Sequence, residues 1–232
     1  MCGDSMETGD QENISEGAPL ESYFDQAAQT WDDNPVRREL ALALAQGICR
    51  AIAFAPQMRI MDFGCGTGLI ARELAPKVAS VTAVDTSPEM VTVLKAKVAA
   101  AGLSGIEPLL LDNGYESGSA ASYDAIVSGM VLHHIEDISG LVAQFARWCR
   151  PGGWIGLADL EPEEGTFHRP GQQVAHHGID PTALASQLES VGFVTQSIRT
   201  VHTIQRPPAE GAEPRGYPVF LLTAQKVLAA SR

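Results

Sequence analysis

Glycine stands at every second position in Gly64-Cys65-Gly66-Thr67-Gly68, directly after the short run MRIMDF and introduced by Asp62 and Phe63. A turn of this kind lets the backbone approach a ligand closely and takes up φ angles that a Cβ resists. Two acidic points follow downstream. Asp85 ends the run SVTAVD and is suited to accept two hydroxyl groups of a ligand at once; Asp112-Asn113 ends IEPLLLDN and offers a carboxylate and a backbone N–H to a heterocycle. His133 and His134 follow the run YDAIVSGMVL, and an imidazole there is placed to take a proton near neutral pH.

The glycine spacing decides among nucleotide ligands. A dinucleotide fingerprint, GxGxxG, uses its third glycine to let a helix pack beside a pyrophosphate. Here Gly64 and Gly66 fit, but Leu69 occupies the third position and the remaining glycine comes one residue early, at Gly68. No GK[ST] follows, which excludes a P-loop. Between Arg59 and Arg72 there is no Lys or Arg, so the turn offers a phosphate no fixed positive charge. S-adenosylmethionine (SAM) suits such a turn, because it lacks phosphate and carries an ammonium group that an acid can face. An NAD-dependent oxidoreductase is disfavoured on the same residues.

These residues need strands and helices to hold them. Residues 58–63, 80–85, 106–111 and 123–128 read as apolar strands, with helices over 68–75, from Ser87-Pro88 to 101, and over 138–149. A fifth strand covers 153–160, Asp180-Pro181 caps a helix to about Val191, and FVTQSIRTV and VFLLTAQKV close the chain as an antiparallel pair. Upstream, Asn34 reads as an N-cap with Pro35 at the first helical position, before a stripe of Val36, Leu40, Leu44, Ile48 and Ile52. Short apolar strands alternating with helices predict a mostly parallel α/β sheet covered on both faces. In such a sheet ligands sit beyond the carboxyl ends of the strands, the rim to which all the residues singled out above belong.

With 232 residues the chain suffices for one well-buried core, and 45% hydrophobic with 19% charged residues is ordinary for a water-soluble protein. A net charge of −12 argues against nucleic acid as a partner. Residues 1–21 hold six acids and no Lys or Arg, and read as a disordered acidic tail; residues 22–232 read as a single domain. The four cysteines are scattered, no membrane span or signal peptide is evident, and a cytoplasmic location is expected.

The stretches DFGCGTG, VTAVDTSPEM, LLLDNG, YDAIVSGMVLHHIED and CRPGGWIGLADL, in this order across residues 58–160, resemble the class I SAM-dependent methyltransferases. Within that class the chain resembles the small-molecule group that includes the ubiquinone/menaquinone-biosynthesis enzymes. The resemblance implies a Rossmann-like, doubly wound seven-stranded sheet of order 3-2-1-4-5-7-6 with strand 7 antiparallel. It also implies SAM contacts from Asp62, Gly64, Cys65, Gly66, Gly68, Asp85, Thr86, Asp112, Asn113 and Ser128, with Met90 packed on the adenine. The Asp112-Asn113 pair departs from the commoner acid–alanine pair. Residues 22–57, with YFDQAAQTWDDNP, resemble an N-terminal lid that would bring Trp31 over the cofactor.

The function implied is transfer of a methyl group from SAM to a small molecule by in-line displacement, with His133 as the candidate base. A SAM-binding regulatory or partner protein without methyl-transfer activity is the alternative. Cys65 reads as a small residue in tight space and not as a nucleophile. His168, His176 and His177, with Arg169, fall in a rim loop without ligand spacing, and no metal is expected. The rim loops 161–179 and 205–218 would select the acceptor, and neither carries a motif that names it. The oligomeric state is not written in the sequence.

Overall fold

The computed structural model describes residues 20–111, 120–168, 174–206 and 215–228. Most of the acidic tail, Asp112, Asn113, Arg169 and the middle of the 205–218 loop lie outside the described residues. The strands β1 (Arg59–Phe63), β2 (Ser80–Asp85), β3 (Ile106–Leu110), β4 (Tyr123–Gly129), β5 (Cys149–Leu160), β6 (Phe193–Arg206) and β7 (Arg215–Lys226) form one sheet. Their order is β3-β2-β1-β4-β5-β7-β6, as expected. β1 to β5 pair in parallel, and β7 runs antiparallel to both β5 and β6.

Successive residues of β1 point to opposite faces, and all from Ile60 to Phe63 are buried, so both faces of the strand are covered. Ile60 joins the layer formed by α2 (Pro35–Ala51), where Leu40, Leu44 and Ile48 continue into Ile52 as the expected stripe. Val36, at the open end of that stripe, is exposed. Met61 and Phe63 join the other layer, made with α5 (Ile138–Trp148) and α6 (Pro181–Ser190) through Phe145, Trp148, Leu184 and Leu188.

The caps follow the sequence. The Asn34 side chain accepts from the backbone N–H of Val36 and Arg37, and Asp180 accepts from Thr182 and Ala183. Ser87 caps α4 (Pro88–Ala101), its Oγ accepting from the Met90 N–H at 3.1 Å.

Three boundaries differ from the sequence reading. α1 begins at Leu20, inside the expected tail, and ends at Ala27. β5 begins at Cys149 and not at residue 153, because Cys149 pairs with Tyr123 before a register shift absorbs the Pro151-Gly152 bend. β6 and β7 are longer than their apolar cores, since each completes the other's ladder out to Arg206 and Arg215. Ladder pairing extends into polar sequence there, beyond the reach of a periodicity signal.

Candidate active site

The glycine turn leaves β1 and enters α3 (Leu69–Leu74) at the carboxyl edge of the sheet. Backbone N–H groups of Gly64 and Cys65 both donate to the Val84 carbonyl, at 2.8 and 2.9 Å, which ties the turn to β2. Gly64 has φ +70°, and a Cβ there would come within 2.3 Å of Val131 Cγ2. Gly66 also has positive φ, but a Cβ on it would meet nothing nearer than the Met90 sulfur at 3.9 Å. Gly66 therefore leaves open room, whereas Gly64 lets the segment after β4 close in.

That room is a cavity of about 570 Å³. Its floor is Asp62, Gly64, Cys65 and Gly66, with Asp85, Thr86 and Met90 beside them. Trp31 stands on its N-terminal side with Phe24 and Arg37. The eight expected site residues named here, Trp31 included, thus come together on one wall system. Two others serve it from behind: Gly68 N-caps α3, and Ser128 donates its hydroxyl to the Phe63 carbonyl at 2.9 Å, fastening β4 to β1. Asp112 and Asn113 lie outside the described residues; Leu111, just before them, lines the cavity and donates its N–H to the Asp85 carbonyl.

The acids are unusual in their setting. Asp85 Oδ2 accepts from Gly66 N–H at 2.7 Å and Oδ1 from Ser87 N–H at 2.9 Å. Burial raises its pKa, and these backbone hydrogen bonds oppose the rise. Asp62 is 1% exposed, and its Oδ2 is buried without a hydrogen-bond partner in a cavity wall. Burial pushes its pKa up to about 7, against a lowering hydrogen bond at Ala71 and with repulsion from Asp85 adding to the rise. An unpartnered buried carboxylate oxygen costs stability unless something cationic or donating meets it. Burial also raises the Cys65 thiol well above its ordinary range, so Cys65 is a small buried filler and not a thiolate.

The histidines are arranged differently from the sequence reading. His133 is 2% exposed and does not line the cavity; His134 does. His133 Nδ1 lies 2.6 Å from Asp159 Oδ1, and its backbone N–H donates to Oδ2 of the same carboxylate. Asp159 escaped the sequence reading because it lies inside the apolar run of β5, with no local mark of a role. Burial, then the neighbouring His133 and His168, holds His134 down at about 2, which keeps it neutral and makes it a weak base. His168 packs against both rings, and burial first among several causes lowers it to about 4.

The N-terminal segment is tied over the cavity. α1 and the 3₁₀ turn Ala28–Asp33 contribute Phe24 and Trp31, and the Arg37 guanidinium stacks on the Trp31 ring at 3.8 Å. Asp32 accepts from the Thr67 hydroxyl of the glycine turn and from Lys97, each at 2.5 Å. Asp25 accepts from the Ser87 hydroxyl at 2.5 Å. Sequence reasoning had marked the aromatic residues but missed these acids, whose partners are more than thirty positions away.

A family described as "Methyltransferase domain" matches residues 36–198, more than half of the chain. The chain belongs to the methyltransferase-domain family. Among relatives, a ubiquinone biosynthesis O-methyltransferase from Methylocella silvestris is 39% identical over 103 residues, covering 44% of this chain and 40% of the relative. The biotin biosynthesis bifunctional protein BioCD from Bordetella avium is 33% identical over 143 residues, 60% of this chain and 30% of that protein. This methyltransferase-family chain thus spans less than two-thirds of the length of either relative. A SAM-dependent methyltransferase structure from Aquifex aeolicus shares the fold, with a TM-score of 0.66 at 19% identity over 89% of this chain and 98% of that one. No helix among the described residues is long and apolar enough to cross a membrane.

Proposed function

We propose that the protein transfers a methyl group from SAM to a small-molecule acceptor. The observation that carries this reading is the pairing, in one cavity, of the unpartnered Asp62 Oδ2 with Asp85 beside an open glycine turn. The residues fit the cofactor: Asp62 would meet its ammonium group, the remaining lone pairs of Asp85 its ribose hydroxyls, and Met90 the face of its adenine. SAM supplies a methyl group already activated on a sulfonium, so the protein's task is to bind, align and exclude water.

The chain's own residues serve those ends. Backbone hydrogen bonds from Gly66 and Ser87 fix the Asp85 carboxylate before anything binds, which spares reorganisation. Phe24 and Trp31, latched through Asp25 and Asp32, cover the cavity as a lid that keeps water out. Direct proton abstraction by His133 is not part of the proposal, because its ring stands behind His134 and off the cavity wall. An oxygen nucleophile as acceptor agrees with the name of the Methylocella relative, an O-methyltransferase.

The test is turnover. The purified chain with methyl-labelled SAM and pooled small-molecule extract should transfer label to an extractable product and release S-adenosylhomocysteine (SAH). SAH binding without any label transfer across such extracts would favour the regulatory reading instead.

A further inference from the structure

His133, His134 and His168 meet at the part of the site that the cofactor reading leaves unexplained. One ring nitrogen from each lies within 4.8 Å of one from each of the others. The three rings pack together, with centroid separations of 3.9 Å between His133 and His134 and 5.1 Å between His133 and His168. Nδ1 of His134 and Nδ1 of His168 are both buried and without a hydrogen-bond partner. A carboxylate oxygen only accepts, so His133 Nδ1 donates to Asp159 and Nε2 is the nitrogen left for a ligand role. An imidazole backed by a carboxylate is the arrangement that orients histidines which hold metal ions.

We propose that His133, His134 and His168 form a three-histidine site for a divalent transition-metal ion of the zinc class, with Asp159 as a positioning residue. Metal–nitrogen distances of about 2.0–2.1 Å place tetrahedral ligand nitrogens roughly 3.4 Å apart, so modest ring rotations close the cluster. The surroundings hold compensating charge. Asp159 lies behind His133 and Glu163 on the loop beside His168, while Arg206 stacks over the Phe167 ring at 4.3 Å and His177 sits against Glu163. Backbone N–H groups of Ala175 and His176 donate to the His133 carbonyl, which ties the chain downstream of His168 to one member of the cluster.

Three protein ligands leave one position open. Because His134 lines the cavity, that position is assigned to the acceptor: a hydroxyl oxygen would bind the ion as its conjugate base, releasing its proton to water. This last role rests on the methyl-transfer reading, whereas binding of the ion does not. The acceptor class is then a small molecule with a metal-binding hydroxyl group.

Titration of the EDTA-treated full chain with Co²⁺, followed by visible absorption, tests the site, with SAH calorimetry run on the same preparations. One Co²⁺ per chain with an intense four-coordinate band is expected. His134→Gln and His168→Gln should each abolish that band, Asp159→Asn should weaken affinity about 10–100-fold, and His177→Gln should leave it unchanged. No band in the wild-type chain, or equal binding by the wild-type, His134→Gln and His168→Gln chains, overturns the proposal. SAH binding that persists when Co²⁺ does not bind would sink the metal site alone; Co²⁺ binding without SAH binding would sink the methyl-transfer reading alone.

Discussion

The two walls of the cavity are assembled in opposite ways. One wall comes from Asp62 to Gly66, Asp85 and Thr86, at or just past the carboxyl ends of adjacent parallel strands β1 and β2, with Met90 from the first turn of α4. Its geometry follows from local sequence: a strand, a glycine turn, a second strand, an acid. The other wall comes from Gly129, Met130, Val131, His134 and Ile135, backed by His133 with Asp159 on β5 and by His168. Its geometry follows from long-range packing, for Met130 takes a positive φ of 61° without being glycine and donates its N–H to Ala158 of the neighbouring strand. A wall built locally can recognise one invariant part of a cofactor, while a wall built from distant segments can change without disturbing it.

The contrast should show most strongly where the two walls touch. Gly64→Ala puts a Cβ against Val131 and forces a strained φ, so it should destabilise the fold by roughly 1–3 kcal/mol and remove SAH binding. Denaturant melts and calorimetry measure both. Gly66→Ala meets open space but takes a left-handed φ of +52°, so it should cost about 1–2 kcal/mol of backbone strain, less than Gly64→Ala, and weaken ligand binding.

A smaller effect separates charge from shape on the first wall. Asp62 titrates near 7 in the fold against an ordinary 3.8, so the folded chain binds the extra proton. Its contribution to stability is therefore full below about 3.8 and lost as pH rises to about 7. Asp62→Asn should flatten that part of the wild-type curve of Tm against pH. The ammonium group of SAH favours the ionised acid, so SAH affinity should rise from pH 6 to pH 8 in the wild type. In Asp62→Asn the rise should vanish, with affinity at pH 8 reduced by on the order of tenfold.

The contacts of Asp32 that tie the N-terminal segment down should matter least. Lys97 and Asp32 are each about a quarter exposed, at 27% and 24%, so solvent screens their pair. Lys97→Met should change KM for SAM by at most about fivefold, in line with exposed ion pairs. A larger change would mean that the N-terminal segment holds the cofactor directly and not merely as a cover.

The difference between the walls also explains what the sequence disclosed. The sheet order was legible through the family resemblance, and the meeting of Asp62 and Asp85 at one cavity was legible because a strand, a glycine turn and a second strand place them at the same rim. His133 was legible as a residue of interest but not in its position, since its burial depends on Asp159 and on the loop at residues 175 and 176. The trio with His134 and His168 was hidden for the same reason: it joins segments more than thirty positions apart, and His168, His176 and His177 show no ligand spacing among themselves. Arg37 enters the cavity because α1 and α2 fold back over the strand ends, a long-range result that an amphipathic stripe does not announce.

The central claim is that the local wall is a SAM site organised around Asp85. Calorimetric titration of the full chain with SAH, in the wild type and in Asp85→Ala, tests it most directly. The account predicts one-to-one binding that weakens by about 30-fold or more in the variant, the loss expected when two charge-assisted hydrogen bonds to a buried carboxylate disappear. Absence of SAH binding in the wild type, or equal affinity in the two proteins, would contradict it.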